Sequence, residues 1–408
     1  MDVTIFNEKR KTGPFTPLLP ADKSLSHRAL IAASLAGEGC RLFSIAENDD
    51  VKATAKALKT LEKLRIEDSP EDIPVIDCGE SASTLRFLLP LFAQTGKRVI
   101  FTGKGRLEKR PLGVYEELYR IERTARSIEV SGMLDAGSFT VPGNISSQLI
   151  SGLLFALPLL GGDSVIEILP PFESAGYVDM TLQMLELAGI SAEKYAAPKN
   201  TETARVSEGS SIFIDVPGRQ KYRPFEYTVP ADWSAAANLA ALAFLTGKDI
   251  QLRGLDTDSV HPDRAILGLL KNLQNGSIDA DISDCPDLGP LLFALAAQAD
   301  GTSRFTGAAR LRLKESDRIA SMQEELAKLG CSMETSREGT VLVHGSTFIK
   351  GGFTLSSHGD HRIAMALSVL ACTAESPVTI EGTECVSKSW PDFFEALKSC
   401  GVSVLQRT

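Results

Sequence analysis

The chain has 408 residues, a length that favours two domains, and its 43% hydrophobic and 23% charged residues are typical of a globular protein. Its formal net charge of -9 argues against nucleic acid or an anionic membrane as the main partner. No apolar run is long enough to cross a bilayer, and the start "MDVTIFNEKRK" lacks the apolar core of a signal peptide. Because the seven cysteines are scattered and show no metal-binding spacing, we expect a cytoplasmic protein with reduced thiols.

Six apolar segments, each opened by small or charged polar residues, predict a first set of helices that are buried nearly all round. In chain order they are "SLSHRALIAASLAG", "SASTLRFLLPLFAQTG", "SSQLISGLLFALPLLGG", "DWSAAANLAALAFLTG", "DLGPLLFALAAQADG" and "DHRIAMALSVLACTAE". A β-like run follows each helix, and these runs are "CRLFSIA", "RVIFTG", "SVIEIL", "DIQLRG", "TSRFTG" and "PVTIEG". The recurring order of helix and strand predicts an α/β fold.

Each unit continues into a second helix that has a single apolar stripe at three- and four-residue spacing. These helices are "DVKATAKALKTLEKL", "LGVYEELYRIE", "VDMTLQMLELAGI", "PDRAILGLLKNL", "SDRIASMQEELAKLG" and "WPDFFEALKSCG". Six units over this length predict two similar halves of three units each, with a boundary near "KYRPFEYTVPAD". The alternative is an α/β protein without internal symmetry, but the similar helix openings favour the repeat.

Basic residues recur near the predicted helix starts, where free N–H groups and the helix dipole already favour anions. They are Lys23, Arg28, Arg106, Arg110, Lys314, Arg318, Arg362 and Lys388. A single such cation is most simply a solvated surface residue, but a recurrent set indicates sites for phosphate or carboxylate groups. Asp317, which stands among them in "RLRLKESDRIAS", is expected only to stabilise a helix start.

Two further helix starts each have two interpretations. Ser146 is expected to cap its helix, but with Ser147 and Gln148 it also offers an uncharged cradle for a phosphate group. Asp287 is likewise expected to cap a helix. Together with Glu315 it also supplies two acids near cations, which general acid–base chemistry requires.

Six segments of the chain resemble the 5-enolpyruvylshikimate-3-phosphate synthases (3-phosphoshikimate 1-carboxyvinyltransferases) of the enolpyruvyl transferase family. They are "LPADKSLSHRALIAASLA", "RLEKRPLG", "VPGNISSQLISGLLFALP", "RLKESDRI", "HGDHRIAMALSV" and "VSKSWPDFFEAL", and they occur in the family order from end to end. The resemblance implies two similar α/β domains, each of three βαβαββ units (an inside-out α/β barrel), with a substrate cleft between them. On this basis residues 21–229 form a first domain on the shikimate 3-phosphate side. Residues 1–20 and 230–408 form a second domain with the catalytic Asp, Glu and Lys and the phosphoenolpyruvate-binding Arg.

The resemblance also implies which residues bind each substrate. Shikimate 3-phosphate would be held by Lys23, Ser24, Arg28, Ser146, Ser147, Gln148, Ser174, Tyr177, Asp287, Arg310 and Lys314. Phosphoenolpyruvate would be contacted by Lys23, Ala82, Arg110, Gln148, Arg318, Arg362 and Lys388. The catalytic residues would be Lys23, Asp287 and Glu315.

The implied reaction is an addition followed by an elimination, in the shikimate pathway that leads to chorismate and aromatic amino acids. The 5-hydroxyl of shikimate 3-phosphate attacks phosphoenolpyruvate, and the resulting tetrahedral intermediate loses inorganic phosphate. Glu315 would move the proton of the methylene carbon, while Asp287, with Lys23 alongside, would handle the hydroxyl proton. No metal or organic cofactor is implied. The expected partners are the two small substrates, without nucleic acid or membrane, and we expect a monomer.

The chain departs from the family pattern at several positions. The usual "PGSKS" reads "PADKS", so Asp22 precedes Lys23. The usual "GNAGT" reads "GESAS", and Ala82 replaces a glycine beside phosphoenolpyruvate, from which we expect weak inhibition by the longer molecule glyphosate and a raised KM for the substrate. Glu80 adds a negative charge near this anion site. "SAGY" lacks a usual basic residue, and Arg310 stands where an asparagine often contacts the shikimate phosphate.

Three other functions fit the sequence less well. A UDP-N-acetylglucosamine enolpyruvyl transferase has the same fold but carries a cysteine on the loop that reads "GKGRLEKRPLG" here. A degenerate binding protein would have lost residues such as Lys23, Asp287, Glu315 or Lys388, all of which are present. A relative of the RNA 3'-phosphate cyclases fits poorly with a net charge of -9.

Overall fold

The computed structural model describes residues 1–7, 13–66, 72–196, 209–346 and 348–407. Its helices, in chain order, are α1 (Lys23–Ala36), α2 (Asp49–Ile66), α3 (Ala82–Ala93), α4 (Tyr115–Leu118), α5 (Ser147–Ala156), α6 (Ala175–Leu187), α7 (Trp233–Thr246), α8 (Ile266–Leu273), α9 (Gly289–Ala297), α10 (Arg318–Lys328), α11 (His361–Ala371) and α12 (Phe393–Ser399). Its strands, in chain order, are β1 (Asp2–Phe6), β2 (Arg41–Phe43), β3 (Val75–Asp77), β4 (Val99–Thr102), β5 (Arg120–Arg123), β6 (Ser127–Ser131), β7 (Ser138–Pro142), β8 (Ser164–Leu169), β9 (Glu193–Tyr195), β10 (Ile212–Val216), β11 (Glu226–Thr228), β12 (Asp279–Asp281), β13 (Thr302–Thr306), β14 (Ser332–Thr335), β15 (Val341–His344), β16 (Thr354–Ser356), β17 (Val378–Glu381) and β18 (Ser403–Arg407). The predicted α/β class is confirmed.

The chain forms two compact units. One is continuous in sequence and comprises Lys23–Val229, and we call it the continuous unit. The other joins Met1–Asp22 to Pro230–Thr408, and we call it the discontinuous unit. The chain therefore crosses between them twice, at positions 22–23 and 229–230.

Four four-stranded sheets within the described residues share one topology. The continuous unit contains the orders β3-β4-β6-β5 and β7-β8-β10-β9, and the discontinuous unit contains β12-β13-β15-β14 and β16-β17-β1-β18. In each sheet the first two strands run parallel and the remaining neighbours run antiparallel. With their two helices these strands form four units of the predicted βαβαββ type, and among the described residues a separate two-stranded parallel sheet joins β2 to β11.

The fourth sheet is completed by the N-terminal strand. Strand β1 pairs with β17 on one side, with Val3 opposite Ile380, and with β18 on the other, with Ile5 opposite Val404. It thus occupies the position that β6, β10 and β15 occupy in the other sheets. The first residues of the chain therefore belong to a unit formed mainly by its last 180 or so.

The first-set helices form the core of each unit, as their apolar composition predicts. Every residue of α9 and α11 is buried, and in α3 only Ser83 is not. Side-chain caps fix several helix starts: Ser81 accepts from the Thr84 amide, Asp232 from the Ala235 amide, and Asp317 from the Ala320 amide. The predicted helix-start role of Asp317 is confirmed.

Two predicted elements are wrong. The helix predicted over "LGVYEELYRIE" ends at Leu118, and the following residues form β5, because pairing with β6 satisfies their backbone groups. The strand predicted over "DIQLRG" is reduced to one bridge between Ile250 and Phe15. Phe15 lies between Pro14 and Pro17, and proline lacks the N–H that a longer ladder requires.

Candidate active site

In the discontinuous unit, Asp287 is a point on which three cations converge. Lys314 Nζ lies 3.3 Å and Arg318 Nη1 2.9 Å from its Oδ1 atom, and Arg362 Nη2 lies 3.2 Å from its Oδ2 atom. Asp287 belongs to a short 3-10 turn just before α9, whereas Arg318 begins α10 and Arg362 is the second residue of α11. The helix-capping interpretation of Asp287 is wrong, because its carboxylate binds side chains and α9 has no side-chain cap.

Glu315 is a second carboxylate that contacts cations, and it shares Arg318 with Asp287. Its Oε2 atom lies 3.0 Å from Arg318 Nη2, and its Oε1 atom lies 3.1 Å from Lys388 Nζ. Lys388 ends a 3-10 helix, Thr383–Lys388, that follows β17. The side chain of Glu315 contacts two cations and is still 14% exposed, so it reaches the surface.

Asp360 holds Arg318 from the buried side and was not singled out from the sequence. The Arg318 Nε atom donates to Asp360 Oδ2 at 2.8 Å, and Ser316 Oγ donates to the same oxygen at 3.2 Å. The other oxygen of Asp360 accepts the Arg362 amide at 2.9 Å and so caps α11. Asp360 is fully buried, so its charge must be compensated by these donors. The only signal in the sequence was an N-cap aspartate in "GDHR".

The charges of this set change the pKa values of its members. Burial would raise the pKa of Asp287, but Lys314, Arg362 and Arg318 together hold it well below the usual range. Burial lowers the pKa of Lys314 to about 8, although Asp287 acts in the opposite direction. Burial also acts to lower the pKa of Arg318, but Asp360, Glu315 and Asp287 raise it above the usual value. Asp287 is therefore ionised at neutral pH, and Lys314 titrates near pH 8.

Arg310 lies beside this set and is buried. Its Nη2 atom donates to the Ser283 carbonyl oxygen at 2.6 Å, in the segment that leads to Asp287. Its positive charge also contributes to the lowered pKa of Lys314. Arg310 thus adds positive potential where Lys314 stands.

In the continuous unit, α1 supplies Lys23 and Arg28. Lys23 Nζ lies 3.1 Å from Asp50 Oδ2 of α2, and the lysine side chain is 17% exposed. Arg28 is buried and contacts α6. It donates to Thr181 Oγ1 at 2.8 Å and to the Tyr177 carbonyl oxygen at 2.7 Å. Its guanidinium also lies 5.1 Å from the Phe87 ring centroid. Arg28 therefore joins α1 to α6.

Ser174 and Tyr177 lie at the start of α6, and Tyr177 contacts Arg28. Ser174 precedes α6 in the left-handed conformation, with φ of 59°, and its side chain is buried. Tyr177 supplies its carbonyl to Arg28, while Ser24 supplies another from α1 at 2.8 Å. The structure thus brings the predicted residues of α1 and α6 together through one guanidinium group.

The predicted residues at the start of α5 are held by Arg86, which the sequence analysis missed. Arg86 Nη1 donates to Gln148 Oε1 at 2.9 Å and to Ser146 Oγ at 3.3 Å, and Nη2 donates to the Pro111 carbonyl at 2.7 Å. Because Gln148 accepts through Oε1, its amide nitrogen faces Ser83 Oγ, 2.9 Å away. The second hydrogen of this amide nitrogen is then available to donate to a ligand.

Ser146 and Ser147 begin this helix. Ser146 Oγ accepts the Gln148 amide, so the predicted capping role is confirmed. Ser147 is buried at the first helical position. The signal for Arg86 was a lone arginine inside the otherwise apolar helix "ASTLRFLLPLFA".

The loop "GESAS" and the loop that leads to Arg110 are joined. The Lys104 amide donates to the Gly79 carbonyl at 2.7 Å, and a β-carbon built on Gly105 would lie 3.0 Å from Glu80 Oε1. Glu80 is exposed and its carboxylate lies beside Gly105. Ala82 and Arg110 are both buried, Ala82 as the first residue of α3.

Asp22, the departure next to Lys23, is buried in the discontinuous unit. Its Oδ2 atom lies 3.4 Å from His261 Nε2, and its amide donates to the Pro230 carbonyl at 2.8 Å. Asp22 therefore lies against an imidazole ring of the discontinuous unit.

One group of metal-ligand types occurs in the described residues: Glu324, Glu325 and His358. Glu325 is already bonded to Lys328 Nζ at 2.8 Å and to His358 Nε2 at 2.7 Å. A carboxylate with a lysine in contact is a poor cation ligand, and this group carries no chemistry here.

Comparison with known proteins gives consistent similarities. A profile of the family described as "EPSP synthase (3-phosphoshikimate 1-carboxyvinyltransferase)" matches residues 18–397. A 3-phosphoshikimate 1-carboxyvinyltransferase of Clostridium acetobutylicum is 40% identical over 95% of both chains, and one of Clostridium kluyveri is 38% identical over 94% of both. The solved EPSP synthase of Acinetobacter baumannii aligns over 99% of this chain and 100% of its own, with a TM-score of 0.75 and 23% identity.

Proposed function

The chain belongs to the EPSP synthase family, and we propose that the residue sets of its two units divide the work of the family reaction. It transfers the enolpyruvyl group of phosphoenolpyruvate to the 5-hydroxyl of shikimate 3-phosphate and releases inorganic phosphate. This is the reaction of a 3-phosphoshikimate 1-carboxyvinyltransferase, a step towards chorismate and the aromatic amino acids.

The discontinuous unit carries the proton transfers. Asp287 is ionised because three cations lower its pKa, which suits a base that accepts the proton of the attacking hydroxyl. Glu315 is the second acid: it reaches the surface and lies between Arg318 and Lys388, where it can protonate the methylene carbon of phosphoenolpyruvate and later remove a proton from it. The cations around both carboxylates stabilise the negative charge of the intermediate.

Arg318, Arg362 and Lys388 also bind phosphoenolpyruvate in this proposal. Only 2% of the Arg318 side chain is exposed, since three carboxylates surround it. Its main contribution is therefore to hold Asp287 and Glu315 in place, while Arg362 and Lys388 supply charge to the substrate. Lys314 and Arg310 bind shikimate 3-phosphate.

The continuous unit binds and orients. Ser146, Ser147 and Gln148 offer hydroxyl and N–H groups at a helix start, where a phosphate is favoured. Ser24, Arg28, Ser174 and Tyr177 form the rest of the shikimate 3-phosphate set, and Lys23, Ala82 and Arg110 belong to the phosphoenolpyruvate set. Lys23 also assists Asp287 in this proposal.

The single observation that carries the proposal is the arrangement of Asp287 and Glu315, both bonded to Arg318, with Lys314, Arg362 and Lys388 around them. Two carboxylates held 2.9 and 3.0 Å from one guanidinium provide two proton-transfer groups within one cationic field. A binding protein for anions would need the cations but not the two acids.

The test is phosphate release from phosphoenolpyruvate with and without shikimate 3-phosphate. We expect release only when both are present, and formation of one enol ether for each phosphate. Release that does not depend on shikimate 3-phosphate, or that responds instead to a UDP-amino sugar, would refute the proposed function.

Two further observations concern where in the cell the protein acts. None of the seven cysteines, all of which lie in the described residues, forms a disulfide bond, as expected of a protein in a reducing compartment, so we propose that it acts in the cytoplasm. Among the described residues, no helix combines the length and apolar character that a bilayer span needs. The monomeric state stays a prediction.

A further inference from the structure

A buried chain of hydroxyl groups links three helices of the continuous unit. Thr54 Oγ1 of α2 lies 2.8 Å from His27 Nδ1 of α1 and 2.7 Å from Thr84 Oγ1 of α3. Thr84 Oγ1 lies 2.8 Å from Ser81 Oγ and 3.3 Å from the Asp50 carbonyl oxygen. The side chains of Ser81, Thr54, Thr84 and His27 are at most 1% exposed.

The hydrogens of this chain can be placed by counting donors. Thr84 has one hydroxyl hydrogen; it is the donor in the contacts with Ser81 and the Asp50 carbonyl, whereas in the contact with Thr54 either oxygen can donate, so we assign the hydrogen to Ser81 or Asp50. Thr54 must therefore donate to Thr84, and with its hydrogen used it must accept from His27. His27 accordingly carries its proton on Nδ1.

The ionisation of His27 agrees with this order. Burial lowers the pKa of His27 to about 3, with Lys23 and Arg28 acting in the same direction and Asp50 against it, so the ring is neutral at neutral pH. Its Nε2 atom is buried and makes no hydrogen bond to the residues the structure describes. Every donor in the chain then points from α1 towards α3 or Asp50.

The two acceptors at the Thr84 end of the chain, Ser81 and Asp50, adjoin residues of the proposed phosphoenolpyruvate set. Ser81 caps α3 and accepts the Thr84 amide at 3.1 Å, and the next two residues are Ala82 and Ser83. Asp50, the alternative acceptor, holds Lys23 Nζ through its carboxylate at 3.1 Å. The Thr84 hydroxyl thus connects the start of α3 to the residue that holds Lys23, and Thr54 of α2 bonds to this hydroxyl.

We propose that Thr54 is a positioning residue that fixes the start of α3 relative to Lys23 and thereby sets the affinity for phosphoenolpyruvate. The proposal rests on the proposed function. Thr54 contacts no substrate; it acts through Thr84, because the loss of its hydroxyl leaves both His27 Nδ1 and Thr84 Oγ1 short of a partner in a site without water access. The start of α3 then moves to recover those bonds.

The kinetic experiment compares three variants with the parent protein. Thr54→Val keeps the shape but removes the hydroxyl; we expect KM for phosphoenolpyruvate to rise about tenfold, as for a modest misplacement of a binding group. KM for shikimate 3-phosphate should change less than about twofold. Thr54→Ser should restore the parent KM, and Thr95→Val, which removes a hydroxyl at the other end of α3, should leave both KM values unchanged. An unchanged KM for phosphoenolpyruvate in Thr54→Val, or failure of Thr54→Ser to rescue, would overturn the proposal.

A second measurement does not depend on activity. In protein labelled with ¹⁵N-histidine, and with His27→Gln to assign the signal, we expect a neutral Nδ1–H ring that does not titrate between about pH 5 and 9. An Nε2–H ring, or a ring that gains a proton in this range, contradicts the chain. If the parent shows no shikimate-dependent phosphate release, the proposed function fails while this result still decides the hydrogen order.

Discussion

The two residue sets use polar groups in different ways. In the discontinuous unit, carboxylates and cations alternate: Asp287 and Glu315 each contact two or more cations, and Arg318 contacts three carboxylates. In the continuous unit, Arg28 and Arg86 donate to hydroxyl, amide and carbonyl oxygens. The first arrangement shifts pKa values, as the proposed proton transfers require, whereas the second fixes geometry. In the proposed function the discontinuous unit therefore carries the chemistry and the continuous unit the orientation.

The largest effect is expected at Glu315. Glu315→Gln keeps the size of the side chain but removes the proton carrier, so kcat should fall by about a thousandfold, within the range of general acid–base contributions. Binding of shikimate 3-phosphate, measured by calorimetry, should change little. Glu324→Gln, at an exposed position of α10, is the matched control and should stay fully active. If Glu315→Gln retains parental turnover, proton transfer does not belong to this carboxylate.

Arg86 tests the orienting role of the continuous unit. Arg86→Met removes the donors to Gln148 and Pro111, so we expect kcat/KM to fall about 30- to 100-fold, since two partly buried acceptors lose a charged donor. Arg98→Met, at an exposed ion pair on β4's sheet, is the control.

A double-mutant cycle separates positioning from general destabilisation. If Arg86 acts by orienting Gln148, Arg86→Met should cost much less in a Gln148→Ala background than in the parent. Fully additive losses in kcat/KM would mean that Arg86 acts independently of Gln148.

Ala82 tests the shape of the phosphoenolpyruvate site in the same unit. Ala82→Gly removes one buried methyl group at the start of α3, so inhibition by glyphosate should tighten by about tenfold, the usual scale for one carbon in a closed pocket. KM for phosphoenolpyruvate should fall as well. Steady-state kinetics measures both quantities. Tight competitive inhibition of the parent protein by glyphosate would contradict the expectation that the Ala82 methyl group shortens the site.

The smallest effect concerns Lys314 and tests the charge of the discontinuous unit. Its pKa of about 8 means that the ammonium is charged below pH 8 and neutral above it. Attraction to the shikimate phosphate is therefore lost as pH rises, and kcat/KM for shikimate 3-phosphate should fall about threefold between pH 7.5 and 8.5. Lys314→Arg should flatten this part of the profile. A parent profile that is flat up to pH 9.5 contradicts the assignment.

Prediction from sequence was most successful for features set by local chemistry. Apolar periodicity and N-cap residues were enough to predict α1 and α11, for example, because helix hydrogen bonds are made within the segment. The wrong prediction at Tyr119–Glu122 arose because β5 depends on a partner strand, β6, that periodicity within the segment does not reveal. The insertion of β1 between β17 and β18 was likewise beyond local patterns.

For the site, the sequence indicated that basic residues lie near helix starts, but it did not indicate which acidic residues they contact. Nothing in the residue order shows that Asp287 binds Lys314, Arg318 and Arg362 rather than capping α9, since those contacts join three separate helices. Arg86 was missed because a lone arginine in an apolar helix has no distinctive neighbours in sequence. The assignment of each residue to a substrate stays a prediction.

The position of β1 has a consequence for the order of folding during synthesis. The strand leaves the ribosome long before both of its partners, β17 and β18, which lie beyond residue 377. The continuous unit has its strand partners within its own sequence and can fold before the rest is made. When it does, it brings Asp22 next to Pro230, whose carbonyl oxygen lies 2.8 Å from the Asp22 amide, so a long loop becomes a short junction. Folding of the continuous unit therefore reduces the loop-closure entropy that is lost when β1 pairs with β17 and β18 in the discontinuous unit.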